Sequence, residues 1–582
     1  MMADAAISRK GQLTVRLPVW RTRMILIVLL IGFLALIGRA VYLQGVNKNF
    51  LRMKGEARYS RVINLNSSRG KITDRNHEPL AISSPVESVA VNPREADISP
   101  QQMQQLAKLL GVKSDELKKK FGEERDFVYL KRQLSPETAE KILRLDISGV
   151  FLQREYRRYY PYGEETAQVL GITDLDDKGQ EGIELAFNQR LAGVDGSRRV
   201  LKDRRGNIIE GVESIRTPQE GQDIVLALDR NIQYLAYREL SEAMHENRAK
   251  AGAVVVLDAK TGEVLALVNQ PSYNPNNRNK NMQSGLTRNR AVTDIFEPGS
   301  TMKPFTAALA IESGRFQPDT LINTEGGKMS IGVATIHDAH ASGTLTVSQV
   351  IQKSSNVGAA KMALAMSPEY MYGNLAKLGF GKVPQSGFPG EVSGRLRPYQ
   401  TWQPIEQATM AYGHGISVSL LQLARAYTVF TSDGELQKVS MLKLDQPAEG
   451  VRVFSPATAQ ALRAMLETVV LPGGTAPRAQ VQGYRVAGKT GTAHKLEAHG
   501  GYAPDRYVAS FVGFAPASDP RLIIAVMLDE PSAGQYYGGT VAAPVFSRVM
   551  AGALRMLGIS PDMPTQNMLL PATDAPEVRE ET

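Results

Sequence analysis

The chain has 582 residues, with 22% charged and 43% hydrophobic side chains, 51 Gly and 31 Pro. At about 150 residues per domain this length suggests roughly four units, and the composition excludes wholesale disorder and fibrous repeats. Lys and Arg outnumber Asp and Glu by 68 to 59, a mild surplus of +9 with no dense basic run, so a nucleic-acid surface is not indicated. Cysteine is absent, which removes thiol nucleophiles, disulfides and Cys-ligated metal together. Among the seven His there is no HExxH, and the pair His337 and His340 reads as polar surface, so neither a metal nor a cofactor is expected.

Met24–Leu43 is an apolar stretch of 20 residues with one charge, Arg39. A helix of that length spans about 30 Å, enough for one bilayer crossing. A cleaved signal peptide is the alternative, but Arg39-Ala40-Val41-Tyr42-Leu43-Gln44 is too bulky for a small-x-small cleavage site. Residues 9–23 carry five basic side chains and residues 44–58 four, a weak orientation signal. The expected arrangement is a cytoplasmic tail over 1–23, an anchor over 24–43 and the remainder outside the cytoplasm.

Residues 44–220 mix short β-like runs with charged helical stretches such as Pro100–Phe121. The polar passage Thr217–Gly221 marks a boundary before the apolar run Ile224–Leu228. Ala253–Leu257 and Val264–Val268 flank Asp258-Ala259-Lys260-Thr261-Gly262, a strand–turn–strand signal. Helical periodicity follows, for example over Thr306–Glu312 and Leu420–Val429. Tyr484–Ala487, Tyr507–Phe514 and Leu522–Leu528 are three later strand candidates, the last two joined by the turn Ala517–Pro520 and hence antiparallel. This predicts an α+β domain over 221–560 whose antiparallel sheet draws strands from both ends of the domain. Residues 561–582 hold four Pro and five acidic residues against one Arg and read as a disordered tail.

Two motif sets compete. Gly483–Thr490 satisfies GxxxxGK[ST], the phosphate loop of an NTPase, and Leu522–Leu528 with Asp529 resembles the strand that holds Mg²⁺ there. Such a loop must open a helix on a parallel sheet. Gly491, Gly500, Gly501 and Pro504 leave little room for one. The second set is Ser-x-x-Lys, Ser-x-Asn and Lys-Thr-Gly, a serine acyl-transfer signature. Each piece recurs: Ser68/Lys71, Ser300/Lys303 and Ser440/Lys443; Ser272/Asn274 and Ser354/Asn356; Lys260–Gly262 and Lys489–Gly491.

Context selects among them. Pro304 fits only the first turn of a helix, so it pins a helix start near Ser300 and brings Lys303 back beside the serine. That gives a nucleophile, a base within reach and free backbone N–H groups for an oxyanion. A plain helix cap at Ser300 and a solvated strand charge at Lys489 are the bland readings. The order Ser300–Lys303, Ser354–Asn356, Lys489–Gly491 favours the catalytic one, and Lys260-Thr261-Gly262 is set aside as hairpin chemistry.

At these residues the sequence resembles the class B penicillin-binding proteins, specifically the division-type (FtsI-like) D,D-transpeptidases of Gram-negative bacteria. The carrying segments are Phe296–Phe305 (FEPGSTMKPF), Lys353–Gly358 (KSSNVG), Ala487–Ala493 (AGKTGTA), Tyr537–Phe546 (YGGTVAAPVF) and Tyr273–Asn277 (YNPNN). Upstream, Ser68–Asn76, Arg157–Pro161 and Gly179–Leu185 resemble the family's non-catalytic pedestal. The resemblance implies an inner-membrane protein crossing once, with an elongated pedestal over 44–220 and a periplasmic transpeptidase domain. Its expected substrates are peptidoglycan stem peptides, with β-lactams as acylating mimics and a SEDS-type glycosyltransferase and other division proteins as partners. By the same resemblance Ser300 is the nucleophile, Lys303 its base and Ser354 a proton relay. Asn356 holds the peptide amide and Lys489 keeps the cleft positive. Thr490, Gly491 and Thr492 receive the terminal carboxylate, the backbone N–H groups of Ser300 and Thr492 form the oxyanion hole, and Tyr502, Tyr536 and Tyr537 line the cleft. A β-lactamase or a β-lactam sensor would share the acylation step but is expected to lack this pedestal.

One position departs from the family pattern. In Ala411-Tyr412-Gly413-His414-Gly415 relatives usually carry Tyr or Gln at position 414. A histidine there, with an ordinary pKa of about 6.5, is expected to add positive charge beside the cleft as pH falls.

Overall fold

In the computed structural model, residues 19–48, 50, 60–202, 208–277, 285–497 and 500–563 are described. Of the expected tail over 1–23, residues 19–23 are helical, and of that over 561–582, Asp562 accepts from Arg485 N–H at 2.7 Å; residues 1–18 and 564–582 lie outside the described residues. Helix α1 (Val19–Val41), continued by one π-helical turn over Tyr42–Val46, is long and apolar enough to cross a membrane, and no residue in α1 is buried.

Chain contacts divide the molecule into two units, each built from separated stretches. The first comprises described residues of 1–66, 88–153 and 195–218. It holds an antiparallel three-stranded sheet of β1 (Ser60–Leu65), β2 (Gly196–Lys202) and β3 (Ile208–Arg216), with β2 in the middle. A separate core gathers Val89, Val91, Leu130 and Ile142 with Met103, Leu106 and Leu110 of α2 (Pro100–Leu110) and Leu117 of α3 (Ser114–Phe121). The expected helix over Pro100–Phe121 is therefore two. Gly111 takes a left-handed φ of 61° at the end of α2, which satisfies its last carbonyls and turns the chain.

The second unit comprises 67–87, 154–194 and 219 onward. Its centre is a five-stranded sheet of β4 (Ala251–Asp258), β5 (Val264–Gln270), β6 (Ala487–Leu496), β7 (Tyr502–Ala515) and β8 (Leu522–Asp529) in the order β5-β4-β8-β7-β6. Every pairing is antiparallel, so strands from the two ends of the domain meet between β4 and β8, as expected. Residues 251–257 and 522–528 are buried almost without interruption, because helices cover the sheet and alternation is lost. Helix α4 (Arg230–Glu246), N-capped by Asp229, packs against β5 and against α8 (Ala543–Met556). Between β5 and β6 the chain forms a mainly helical insertion that includes α5 (Lys303–Glu312), α6 (Val347–Lys353 and, after one turn, Asn356–Leu364) and α7 (Pro456–Val470).

In the apolar run Ile224–Leu228, Ile224–Val225 pairs parallel with Ile72–Thr73 and Leu226 bridges Leu442. One strand expectation needs correction. The candidate at Tyr484–Ala487 is displaced: β6 starts at Ala487, and Tyr484 makes a single bridge to Val481 while its hydroxyl donates to the Ile559 carbonyl at 2.6 Å. Its apolar character serves packing rather than the sheet.

Candidate active site

Ser300 sits in a 3₁₀ turn, Gly299–Met302, that runs directly into α5, with Pro304 in the first helical turn as expected. The tight turn places Lys303 Nζ 2.9 Å from Ser300 Oγ. Both are buried, Ser300 at 6% exposure and Lys303 at 0%. Lys303 Nζ also lies 3.0 Å from Ser354 Oγ and donates to the Ser354 carbonyl.

Ser354 ends the Val347–Lys353 helix in a left-handed conformation, φ 61° and ψ 40°, which is unfavourable for a residue with a Cβ. The next residue, Ser355, caps the following helix by accepting from Gly358 N–H at 2.9 Å and donates to Asp338 Oδ2 at 2.6 Å. Asp338 Oδ1 accepts Val357 N–H at 2.9 Å, and Asn356 Nδ2 donates to the His337 carbonyl at 2.9 Å. The end of the hairpin Lys328–His337 thus braces the turn that presents Ser354 and Asn356.

Strand β6 supplies the third side. Lys489 is fully buried and its Nζ lies 3.0 Å from Ser354 Oγ, so two amines flank one hydroxyl. Gly491 is required: a Cβ there would stand 2.5 Å from Ser510 Oγ and 2.7 Å from the Pro298 carbonyl. At Gly299, with φ 55°, a Cβ would meet the Thr492 carbonyl at 3.0 Å. The Ser300 turn and β6 are therefore in near-backbone contact. Thr490 is fully buried with its Oγ1 3.1 Å from Lys489 Nζ and 2.8 Å from Thr475 Oγ1. Thr492 Oγ1 accepts Gly538 N–H at 3.1 Å.

The expected aromatic residues fall into two groups. The Tyr536 and Tyr537 rings lie 4.4 Å apart, tilted by 33°, with their hydroxyls 3.1 Å apart. Tyr507 stacks on Tyr536 at 4.0 Å and lies 4.5 Å from the His494 ring at a tilt of 37°. Tyr502 instead donates to Glu297 Oε2 at 2.9 Å and lies 5.9 Å from the His414 ring. Glu297 Oε1 accepts Gly415 N–H at 2.8 Å. Burial raises the Glu297 carboxyl above its usual range, against these hydrogen bonds and the charge of Arg397.

His414 corrects an expectation. Burial, the charge of Lys303 and that of His494 push its pKa down to about 4, so it stays neutral where an ordinary histidine begins to charge. The expected gain of positive charge near pH 6.5 is not available to it.

The remaining motif copies lie elsewhere. Lys260 forms an ion pair with Asp519, and Thr261 donates to Glu263 at 3.1 Å. Ser440 Oγ donates to the Leu442 carbonyl at 2.8 Å, while Lys443 Nζ donates to the Arg75 carbonyl at 3.0 Å. Ser272 Oγ donates to the Glu164 carbonyl at 2.6 Å. The phosphate-loop reading is overturned: Lys489 and Thr490 lie inside a strand, and β8 runs antiparallel to both neighbours. Among the described residues no cluster of three or more His, Asp or Glu is arranged to hold a metal.

Sequence analysis missed Glu297, Asp338, Thr475, His494 and Tyr507. Tyr507 alone carried a signal, since an antiparallel hairpin sets it opposite His494, two residues beyond Thr492.

This geometry agrees with what comparison finds. The sequence matches the penicillin binding protein transpeptidase domain over residues 252–551 and the penicillin-binding protein dimerisation domain over 64–226. The chain belongs to the class B penicillin-binding protein family. It is 45% identical over 549 residues to the probable peptidoglycan D,D-transpeptidase PenA of Neisseria meningitidis, covering 94% of each chain. It is 40% identical over 550 residues to the peptidoglycan D,D-transpeptidase FtsI of Escherichia coli, covering 93% of each. Among solved structures, the apo transpeptidase domain of Burkholderia pseudomallei penicillin-binding protein 3 matches with 50% identity and a TM-score of 0.54, over 58% of this chain and 98% of that one. In this family member, then, the Ser300 turn and β6 belong to the transpeptidase domain and the segments from residue 64 to 226 to the second family domain.

Proposed function

We propose that the protein cross-links peptidoglycan stem peptides at the division septum through an acyl-serine intermediate on Ser300, and that β-lactams acylate the same atom. The observation that carries this reading is the 2.9 Å approach of Lys303 Nζ to Ser300 Oγ within one buried turn. Burial disfavours the charged form of an amine, which suits Lys303 to act as a base. Ser300 Oγ attacks the carbonyl between the two terminal D-Ala residues and gives its proton to Lys303. The C–N bond breaks as Ser354 Oγ, within reach of both lysines, relays that proton to the departing D-Ala amine. The amine of a second stem then attacks the ester carbon; a new C–N bond forms, the ester bond to Ser300 Oγ breaks, and the proton lost by the amine returns to Ser300. In this reading the N–H groups of Ser300 and Thr492 bind the oxyanion, Asn356 holds the peptide amide, Lys489 supplies positive charge, and Thr490, Gly491 and Thr492 face the terminal carboxylate. Tyr502, Tyr536 and Tyr537 border the path of the peptide. The domain boundaries follow the sequence reading, with a pedestal to residue 220 and the transpeptidase domain to 560. Helix α1 anchors the chain once in the inner membrane, with its N-terminus cytoplasmic and the catalytic unit periplasmic. A SEDS-type glycosyltransferase and other division proteins are the partners that fit this role.

Fluorescent penicillin tests the reading. A covalent adduct that persists on the full-length protein and disappears in Ser300→Ala supports it. Rapid release of hydrolysed drug would point to a β-lactamase instead, and absence of any adduct would refute the acyl-serine mechanism.

A further inference from the structure

A row of polar groups leads away from the nucleophile. Ser300 Oγ lies 2.9 Å from Lys303 Nζ, which lies 3.0 Å from Ser354 Oγ, which in turn lies 3.0 Å from Lys489 Nζ. Lys489 Nζ lies 3.1 Å from Thr490 Oγ1, and Thr490 Oγ1 lies 2.8 Å from Thr475 Oγ1. Thr475 is the far end of this row, itself buried, and belongs to none of the three motifs. It is placed from two directions. The turn after α7 needs glycine before it, because a Cβ on Gly474 would stand 2.2 Å from the Val469 carbonyl. On the far side Gly539 is pressed so closely that a Cβ there would stand 2.3 Å from the Thr475 carbonyl.

The direction of the Thr475–Thr490 bond follows from what each hydroxyl can reach. Thr475 is 5% exposed, and Thr490 is the hydrogen-bond partner of its side chain among the described residues. A buried O–H without an acceptor is costly, so the Thr475 proton lies on the line to Thr490 Oγ1. Thr490 is then the acceptor of that bond, and its own proton turns away from Thr475. A lysine ammonium is only a donor, so Lys489 needs the Thr490 oxygen as an acceptor too. With Thr475 fixing the rotor, Thr490 keeps a lone pair toward Lys489.

We infer that Thr475 is a positioning residue for the reaction: by donating to Thr490 it holds the Thr490 hydroxyl as an acceptor for Lys489 and so favours the charged form of that lysine. The inference rests on the transpeptidase reading above. Around Lys489 the titratable group that shares Ser354 is Lys303, the proposed base, which also faces His414. Val512 of β7 stands opposite Lys489 in the sheet. On α7 the two charged side chains are engaged elsewhere, Arg463 with Asp433 and Glu467 with Arg485. Hydrogen bonding to a charged form raises the pKa of a base, so losing the Thr475 hydroxyl lowers the pH at which Lys489 gives up its proton.

The experiment measures the acylation rate of the full-length protein by fluorescent penicillin from pH 5.5 to 10 for the native chain, Thr475→Val and Thr475→Ser. The expected result is an alkaline limb displaced downward by about half to one pH unit in Thr475→Val, with Thr475→Ser matching the native profile. Thr475→Ala is read in the same way if the valine variant fails to fold. A rate that falls with no displacement of the limb, or a profile that superimposes on the native one, overturns the inference. So does an equal displacement in Thr475→Ser, since the hydroxyl is then not the cause. If the native protein itself is not acylated at any pH, the transpeptidase reading fails and takes this one with it; a native protein that acylates while Thr475→Val behaves identically overturns Thr475 alone.

Discussion

The Nζ atom of Lys489 stands 3.0 Å from the Oγ atom of Ser354, a contact that joins residues 135 positions apart. Lys303 approaches the same oxygen from the other side, also at 3.0 Å. A hydroxyl between two amines can accept from one and donate to the other, which is what a relay needs. The left-handed φ of 61° at Ser354 adds a second property, because the backbone there suits glycine better than any residue with a Cβ.

Ser354 can therefore be tested on two axes. Ser354→Ala and Ser354→Gly both remove the proposed relay and are expected to slow acylation by a similar factor, about 10²-fold or more. They should differ in stability, with the glycine variant more stable by about 1 kcal/mol because alanine still carries the Cβ strain. Acylation kinetics and urea melts of the two variants check this. Equal stability would show that the backbone relaxes once the hydroxyl is gone.

Lys303→Ala is expected to lower acylation by about 10²–10⁴, since a positioned base is worth that much. Its effect should far exceed that of Lys260→Ala. Lys260 belongs to the second Lys-Thr-Gly, in the β4–β5 turn, and is paired with Asp519. An exposed pair of this kind contributes little, so Lys260→Ala should acylate at the native rate and melt within about 1 kcal/mol of it. Loss of acylation in Lys260→Ala would mean the wrong copy had been assigned.

How far the sequence carried depended on distance along the chain. Ser300 and Lys303 were legible because one turn of helix and Pro304 dictate their approach. Ser354 and Lys489 became legible through the order of the motifs, although only the fold shows that they share an oxygen. Glu297 and Tyr502 are 205 residues apart, and no local pattern announces that one carboxylate ties the strand to the Gly415 loop. The same holds for Asp338, which braces Ser355 and Val357 from a hairpin whose sequence reads as an ordinary surface turn. The strand at Tyr484–Ala487 was misplaced because an apolar run looks alike whether it pairs in a sheet or packs beneath a C-terminal segment.

The buried charge cluster of the second unit should dominate its stability. Glu184 accepts from Arg69 Nε and Arg158 Nε, each at 2.6 Å, and all three side chains are nearly inaccessible. Glu184→Gln keeps the shape but removes the carboxylate that both buried guanidinium groups contact, leaving them the charge of Asp177. Breaking such a pair costs about 3–5 kcal/mol, so a large fall in melting temperature is expected, together with loss of acylation at temperatures the native protein tolerates. A melt within 1–2 °C of the native protein would show that the cluster is better hydrated than its burial implies.

His414 gives the last test, on pH. Its pKa lies near 4 in the folded chain, held down first by burial and then by Lys303 and His494, against about 6.5 in an unfolded chain. Below pH 6.5 the unfolded state takes up a proton that the folded state refuses, so the histidine's contribution to stability is complete above about 6.5. It is lost progressively as pH falls toward 4. Acylation, by contrast, should show no limb from His414 between pH 5.5 and 8, because the ring is neutral throughout that range. The measurement is a pair of profiles, acylation rate and urea stability against pH, for the native protein and His414→Tyr. The rate profiles are expected to superimpose in shape, whereas the native protein should lose more stability between pH 7 and pH 5 than the tyrosine variant. A limb in the native rate profile near pH 6.5 that disappears in His414→Tyr would show instead that the ring charges in the folded protein and acts on the cleft.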